Sequence, residues 1–317
     1  MGITKNKQSE KMIESMVRKA FGCKNILSIK ELTEGMCNAA YMITFADGDR
    51  SVLKIAPENN EGLTSNEINI MEAEVSAMQI VKESNVVKTA DVLFYDFSKE
   101  LCSGNYFFME ALDGNSFASV REQLSEEDNK KIYYEIGKIQ RRMTNIKGER
   151  FGLLGDAAHR FDCLYDFVFY LISNILNDAQ RKCIDLGVSA KEVLSLLSSY
   201  RSVFDSVQIP TLVHWDMWEG NVFVKDKEVS GVIDWERALW GEAFMDDRFR
   251  RHSRNAYFLR GFGKETFSDA EMKRILWYDV YLYILMMTEG AYRGYEDDGQ
   301  YKWAKQLFEL SWQELQC

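Results

Sequence analysis

Cysteine and histidine are scarce in this sequence and widely spaced. Its 317 residues include six cysteines and three histidines, and no two cysteines form a Cys-x-x-Cys pair. Structural zinc sites need closely spaced thiolates and imidazoles, and disulfide frameworks are typical of small secreted domains. The sequence therefore argues against both, and it favours a protein of the reducing cytoplasm.

Long apolar runs and an excess of basic residues are also missing. The most apolar stretches, around Leu164–Leu176 and Val280–Met287, are short or interrupted by Asp166 and Asn174, whereas a membrane span needs about 20 apolar residues. The first residues are polar and lack the apolar core of a secretory signal. The formal net charge of −10 disfavours non-specific binding to nucleic acid or anionic membranes. We therefore expect neither partner.

The stretch that carries the most chemical information is 213–235. It contains Asp216, then Asn221 five residues later, then Asp234 after a further thirteen. Between the asparagine and the second aspartate, two short apolar segments flank a polar turn, which predicts a β-hairpin. A hairpin of this size returns Asp234 to the side of Asn221, and the loop before it presents Asp216 to the same space.

This arrangement suits phosphoryl transfer. One carboxylate must receive or orient the proton of the attacking hydroxyl, while an amide oxygen and a second carboxylate hold the magnesium that bridges the nucleotide phosphates. The strip reads His-Trp-Asp-x4-Asn and then Ile-Asp-Trp, and it resembles that of the aminoglycoside phosphotransferase and choline kinase superfamily. The resemblance implies that Asp216 is the catalytic base, that Asn221 and Asp234 bind Mg²⁺, and that ATP or GTP is the phosphoryl donor. The alternative is a polar hairpin whose carboxylates face water.

The resemblance also implies the fold, an α+β bilobal protein-kinase-like architecture. Residues 1–112 would form a nucleotide-binding lobe with an antiparallel sheet, and residues 113–317 a mainly helical lobe with the catalytic loop, metal site and acceptor pocket. An amphipathic pattern at 8–20 predicts a helix on the outside of the first lobe. The five predicted strands are Ile26–Leu32, Ala40–Phe45, Val52–Ala56, Asp91–Phe97 and Tyr106–Ala111.

Two loops of the first lobe become candidates for nucleotide binding through the resemblance. Gly35 and Asn38 stand where the family has its Gly-x-x-Asn phosphate loop, although by itself this segment reads as an ordinary hairpin turn. The strand that ends near Glu110 and Leu112 runs into the connector between the lobes. In this superfamily the connector is where adenine docks, through backbone groups.

A lysine on an apolar strand and a glutamate on the next helix form the other predicted nucleotide site. Lys54 alternates with apolar residues, a pattern that is also typical of a solvated strand face. The following helix is predicted to begin at Thr64, with Glu67 completing a capping box. Glu74 lies at the edge of its apolar stripe, so Lys54 and Glu74 resemble the kinase pair that positions the phosphates. Glu72, on the other edge of the stripe, is a rival partner.

Several neighbours of the catalytic strip are expected to support it. We expect His214 to brace the loop by hydrogen bonding and Trp235 to pack beneath it. Glu236 is expected to point away from the metal, because the strand has ended two residues earlier. The arginines within 248–254 are expected to form a solvated or salt-bridged helix face.

The acceptor is the least specified part of the prediction. An aminoglycoside-type antibiotic is favoured, while choline, fructosamine, homoserine and macrolide kinases share the strip. A protein kinase is disfavoured because its closing Ala-Pro-Glu is absent from a chain with two prolines. A nucleotide-binding regulator without catalysis is the alternative of another class. The assembly is expected to be a monomer or homodimer.

An acidic and aromatic set is the candidate acceptor site. Such side chains would suit a cationic acceptor through charge and cation–π contacts. The competing interpretation is a solvated loop and ordinary packing. The candidates are Trp218, Glu289, Glu296, Asp297 and Asp298.

Overall fold

A computed structural model describes residues 5–33 and 38–317, so the predicted loop glycine, Gly35, lies outside the described residues. The first part of the chain contains α1 (Glu10–Phe21), β1 (Ile26–Leu32), β2 (Ala39–Phe45), β3 (Arg50–Ile55), α2 (Ile70–Ser84), β4 (Val92–Asp96) and β5 (Tyr106–Glu110). The middle part contains β6 (Asn115–Ser116), α3 (Phe117–Val120), α4 (Glu126–Met143), β7 (Gly152–Leu153), α5 (Leu164–Arg181), α6 (Ala190–Ser199) and β8 (Thr211–Val213). The last part contains β9 (Val222–Lys225), β10 (Glu228–Val232), β11 (Leu239–Gly241), α7 (Ala256–Phe262), α8 (Asp269–Arg293) and α9 (Gly299–Gln316), with short 3₁₀ turns between several of these elements.

The first five strands form one antiparallel sheet in the order β1-β2-β3-β5-β4. Each lies within two residues of its predicted position. The two faces of the sheet are covered differently because side chains alternate along a strand. Leu53 and Ile55 pack with Ile13 and Met16 of α1, as predicted for the N-terminal helix. Val52 packs with the core on the opposite face, so Lys54, between Leu53 and Ile55, shares that opposite face.

The helix after β3 does not begin where its capping signal predicted. Thr64 and Glu67 do bond to each other, since the Thr64 amide donates to Glu67 Oε2 at 2.8 Å, but they form an isolated turn. Asn69 adopts a left-handed conformation with φ of 46°, which interrupts any helix. The helix starts at Ile70. The prediction of a start at Thr64 is wrong because the box closes a local turn and leaves Glu67 available for distant partners.

The remainder of the chain is mainly helical and is built around α8. Ser268 and Glu271 form a capping box at its start, and Gly294 ends it in a left-handed conformation with φ of 65°. Its residues from Ile275 to Leu285 are buried on all sides, as expected of a helix at the centre of a domain. Within the described residues, no helix combines the length and apolar character needed to cross a bilayer. The α+β kinase-like architecture is as predicted, and the division at residues 112 and 113 stays a prediction.

One short segment joins the sheet region to the catalytic hairpin. The Val232 amide donates to the Lys88 carbonyl at 2.9 Å, and the Thr89 hydroxyl donates to the Val232 carbonyl at 3.0 Å. The indole of Trp235 donates to the same hydroxyl at 3.0 Å. The strand that leads to Asp234 is therefore anchored to residues that lie just before β4.

Candidate active site

The predicted catalytic loop, residues 214–221, connects β8 to β9 and contains a backbone conformation that is unusual for its residue type. Trp215 has φ of 75°, a left-handed conformation that costs a residue with a Cβ roughly 1–2 kcal/mol. Its amide donates to Asp246 Oδ2 at 3.0 Å, and its carbonyl accepts from the Asp247 amide at 3.0 Å. The 3₁₀ turns that follow β11 thus hold the residue before Asp216 in place.

The structure brings Asp216 and Asn221 together. Asn221 Nδ2 donates to the Asp216 carbonyl at 2.8 Å and lies 3.4 Å from its Oδ2. The Asn221 carbonyl accepts from the Ile233 amide at 3.0 Å, which ties the loop to the end of the hairpin. Burial raises the pKa of Asp216 well above its ordinary value, although Arg237 opposes the rise. A carboxylate with a raised pKa has gained basicity, which is the property that a proton acceptor needs.

His214 braces the same loop. It is fully buried, and its Nε2 lies 2.9 Å from the Ile233 carbonyl, while the Asp216 amide donates to its Nδ1 at 3.3 Å. Its ring lies 4.4 Å from the ring of Trp235. Burial lowers the pKa of His214 to about 4, so the imidazole is neutral near pH 7 and is fully used in holding the loop.

Lys54 joins the sheet to the hairpin. Its Nζ lies 2.7 and 2.8 Å from the two carboxylate oxygens of Glu74 and 2.7 Å from Asp234 Oδ1. Burial disfavours the charge on Lys54, but Asp234 and Glu74 outweigh it and raise its pKa. Glu72 instead accepts from Asn105 Nδ2 at 2.8 Å. Of the two glutamates considered from the sequence, Glu74 is therefore the one that contacts the lysine.

Glu236 lies in the site, contrary to the expectation that it points away. Asp234 adopts φ of 67°, and this reversal after β10 directs both carboxylates to the same side. One oxygen each of Glu74, Asp234 and Glu236 lies within 4.8 Å of the others. Asn38 Nδ2 donates to Glu236 Oε2 at 2.8 Å, which places this predicted loop residue at the same site. The alternation of side chains along a strand could not predict this, because the turn conformation at Asp234 decides the direction of the Glu236 side chain.

The donor set fits a magnesium ion. Three carboxylates cluster here, and two of them contact the ammonium group of Lys54, so the ionised cluster has an excess of negative charge that a divalent cation would neutralise. Carboxylate and amide oxygens are the ligands that Mg²⁺ takes in phosphate-binding sites. Burial, with Asp234 nearby, raises the pKa of Glu236 to about 8, as expected of a carboxylate that lacks a cation of its own.

The connector residues are placed at the end of β5. The Glu110 amide already donates to the Asp91 carbonyl at 2.8 Å, so an adenine base would use other backbone groups of the connector. The Leu112 side chain is buried against Gly231, where a Cβ would come within 2.7 Å of its Cδ1. The Leu112 side chain therefore packs between the connector and the catalytic hairpin.

The acceptor candidates differ in how far they are exposed. Trp218 is 46% exposed, and its indole covers Gly220 so closely that a Cβ there would overlap the ring. Glu289 lies inside α8 and is buried. Glu296, Asp297 and Asp298 are exposed in the segment between α8 and α9. Of the five candidates, these three and the indole are the ones exposed to solvent.

Sequence reasoning missed a buried brace of the catalytic loop. Arg248 is 2% exposed, and its guanidinium donates to both carboxylate oxygens of Glu219 at 3.0 and 3.1 Å. Tyr133 donates to the same carboxylate at 2.6 Å. The expectation of a solvated or salt-bridged helix face holds for Arg248 and Arg250 in its ion pairs, with Glu219 and Asp279. It is wrong in the helix and the exposure, because both arginines are buried in and beside a 3₁₀ turn. Their spacing offers no helical stripe that could have revealed this.

Comparisons with known proteins agree with the fold. A candidate fructosamine-3-kinase from Haemophilus somnus 129PT aligns with a TM-score of 0.71 at 15% identity, over 95% of this chain and 97% of that one. A thermostable mutant of aminoglycoside phosphotransferase APH(4)-Ia, in a ternary complex with ADP and hygromycin B, aligns with a TM-score of 0.67 at 16% identity, over 94% and 96%. An aminoglycoside 2′-phosphotransferase-IIIa mutant in complex with GDP aligns with a TM-score of 0.66 at 15% identity, over 96% and 98%.

Sequence comparison identifies the family directly. Among curated protein sequences there is no significant match. The family model described as the phosphotransferase enzyme family matches residues 28–246, which is more than half of the chain and contains the strand lysine, the catalytic loop and the hairpin. The chain therefore belongs to the phosphotransferase enzyme family.

Proposed function

We propose that this protein is a Mg²⁺-dependent kinase that transfers the γ-phosphoryl group of ATP or GTP to a hydroxyl of a small molecule. The observation that supports it most strongly is the 2.7 Å contact between Lys54 and Asp234. This contact joins Lys54 of β3, and through it Glu74 of α2, to the residue just after the hairpin. The hairpin itself follows Asp216 and Asn221 in the chain. The nucleotides in the similar structures, ADP and GDP, support a purine nucleoside triphosphate as donor.

In this proposal each residue has a defined part. Asp216 accepts the proton of the acceptor hydroxyl while the oxygen of that hydroxyl bonds to the γ-phosphorus. The bond between the γ-phosphorus and the bridging oxygen of the β-phosphate breaks, and ADP or GDP leaves. Lys54, aligned by Glu74, binds the donor phosphates, and nearby Asn38 orients Glu236. Asn221, Asp234 and Glu236 would hold Mg²⁺, which when bound neutralises charge on the phosphates. His214 and Trp235 are both buried, so solvent does not reach the side chains that support the loop.

An aminoglycoside-type acceptor is the first choice. Hygromycin B is bound together with ADP in one similar structure, and such compounds combine many hydroxyls with protonated amines. The exposed indole of Trp218 is two residues from the base and offers a face to a sugar or a cation. The exposed acidic residues 296–298 would attract the same amines.

A fructosamine-type acceptor is the second candidate. The observation in its favour is the TM-score of 0.71 to a candidate fructosamine-3-kinase, against 0.67 for the hygromycin B complex. Both acceptor classes carry sugar hydroxyls and an amine, so the same indole and acidic groups would serve either.

The test is a screen of hydroxyl acceptors by coupled ADP or GDP release. The panel contains hygromycin B and other aminoglycosides, a fructosamine, choline, homoserine and a macrolide, each with and without Mg²⁺. We expect acceptor-dependent turnover with one class, abolished by EDTA, and a phosphorylated product identified by ³¹P NMR. Asp216→Asn serves as the inactive control. Tight nucleotide binding without turnover on any acceptor would instead indicate a regulator.

A further inference from the structure

Four charged side chains form a cluster next to the catalytic loop; Glu67, Glu289 and Arg293 are buried, and the side chain of Arg237 is 15% exposed. Arg237 contacts Glu67 at 3.0 Å and Glu289 at 3.3 Å. Arg293 contacts the same two carboxylates at 2.6 and 3.4 Å. Gln300 donates to Glu289 at 2.8 Å. Two cations and two anions thus meet in this cluster.

The two arginines differ in where they come from. Arg293 ends α8, whereas Arg237 lies directly after Glu236 in the segment that leaves the metal cluster. Arg237 also covers the indole of Trp215, with its guanidinium carbon 5.2 Å from the ring centroid. Tyr281 packs edge-on against the same indole at 6.0 Å. Arg237 is therefore the member of the cluster that contacts the catalytic loop.

Trp215 needs such support because its backbone is in the left-handed region immediately before Asp216. A residue in this conformation persists only when its surroundings hold it there. Its backbone is held by Asp246 and Asp247. Its side chain is held by the cation and the ring described above. Relaxation of this residue would move Asp216, which is joined to it by one peptide bond.

We propose that Arg237 is a positioning residue for the catalytic base: fixed by Glu67 and Glu289, it holds the Trp215 indole and with it the left-handed backbone that aims Asp216. The proposal rests on the proposed function, because it takes Asp216 as the base. Glu67 lies in the turn before α2, so the same cluster also connects the base to the segment that carries Glu74. The competing explanation is that the four charges only stabilise the fold.

The first test compares Arg237→Gln with Arg293→Gln. Both variants remove one cation from the same two carboxylates, so both should lower the melting temperature. Only Arg237→Gln should lower kcat, by about 10- to 100-fold, as for a catalytic group displaced by a fraction of an ångström to 1 Å. KM for ATP should stay within about twofold of wild type. Equal effects on kcat, or none, would overturn the proposal.

Charge-balanced variants cover the case in which a single substitution prevents folding. Glu67→Gln/Arg237→Gln and Glu67→Gln/Arg293→Gln each remove one charge of either sign. The first should lose kcat relative to the second. Arg237→Lys, which keeps the charge and loses the planar fork, should recover part of the activity.

A double-mutant cycle tests whether Arg237 acts through Trp215. Glycine adopts positive φ without strain, so in a Trp215→Gly background the backbone no longer depends on a held side chain. There, Arg237→Gln should lower kcat by less than about twofold further. A full additional loss in this background would show that Arg237 does not act through the indole.

Hydrogen exchange gives a readout that is independent of turnover. Amides of residues 214–221 should exchange faster in Arg237→Gln than in Arg293→Gln. If wild type has no kinase activity while this difference is present, the proposed function fails, and Arg237 holds the loop without serving a catalytic base. If wild type is active and the two variants exchange alike, the positioning role fails alone.

Discussion

At the scale of single residues, Asp216 combines partial burial with a position beside the side-chain amide of Asn221. We predict that Asp216→Asn lowers kcat at least about 10²-fold, the contribution of a general base, with nucleotide affinity retained. Because burial raises its pKa and the base acts when ionised, the wild-type rate should fall on the acid side of that raised pKa. Steady-state kinetics across pH and nucleotide titration measure both. A variant with near wild-type turnover would contradict the mechanism.

The carboxylates around Lys54 are expected to act together in magnesium binding. We predict that Asp234→Ala abolishes the Mg²⁺-dependent part of nucleotide binding and that Glu236→Ala weakens it, because both oxygens lie within 4.8 Å of each other. Calorimetric titration with and without Mg²⁺ measures the difference.

Glu72→Ala is the matched control for these variants. It removes a carboxylate from α2 that binds Asn105 and should leave the magnesium dependence intact. If Glu236→Ala behaves like this control, Glu236 has no part in the metal site.

Whether the position of a site residue could be predicted from the sequence depends on which structural feature determines that position. Asp216, Asn221 and Asp234 were identifiable because loop length and a hairpin determine their positions. The place of Glu236 was not, because it depends on the φ of 67° at Asp234, and an aspartate is compatible with both extended and left-handed backbone.

At the scale of elements, the turns after β11 act as a support for the catalytic loop. Asp246 is fully buried and accepts the amides of Trp215 and Arg248. Burial raises its pKa from 3.8 to about 7, against the opposing backbone hydrogen bonds. A raised carboxyl pKa contributes stability that is fully present below the ordinary value and is lost as pH rises through about 7.

We predict that Asp246→Asn becomes more stable relative to wild type as pH increases. Between pH 4 and pH 8 the difference in unfolding free energy should shift by roughly 2–4 kcal/mol in favour of the variant, since one pKa unit corresponds to about 1.4 kcal/mol. Urea unfolding at several pH values measures it. Asp162→Asn, at a side chain that is 88% exposed, is the control. Parallel pH profiles for wild type and Asp246→Asn would contradict the prediction.

The limits of the sequence are clear at this scale in α2. The strands of the sheet follow from alternation and turn residues, and their positions were foreseen. The start of α2 was not foreseen, because Glu67 bonds to Arg237 and Arg293, which are 170 and 226 residues away along the chain. Local signals for a helix start carry no information about partners so distant.

At the scale of the whole molecule, only part of the net charge of −10 is expected to contribute to acceptor binding. We predict that neutralising Glu296, Asp297 and Asp298 together raises KM for a cationic acceptor and leaves KM for ATP unchanged, because only acceptor binding is affected. The effect should shrink at high salt, because exposed charges are screened. Glu289 is left out because it is buried and paired.

The control is a triple variant with the same charge change on the sheet region. Asp47→Asn/Asp49→Asn/Glu100→Gln alters side chains that are 53%, 70% and 72% exposed and should leave both KM values unchanged. If the two triple variants raise KM equally, total charge rather than an acidic acceptor site is responsible. If neither does at low salt, an uncharged acceptor is favoured.

The link between Lys88, Thr89 and Val232 is one place where hydrogen bonds tie the sheet region to the rest of the chain near the proposed site. The segment just before α2 forms a second, because Ser65, Asn66 and Asn69 bond to Asp178, Leu171 and Gly155. A rotation of the sheet region against the helical part would have to break hydrogen bonds at one of these places. We therefore expect the 2.7 Å contact between Lys54 and Asp234 to persist while the proposed kinase exchanges its acceptor.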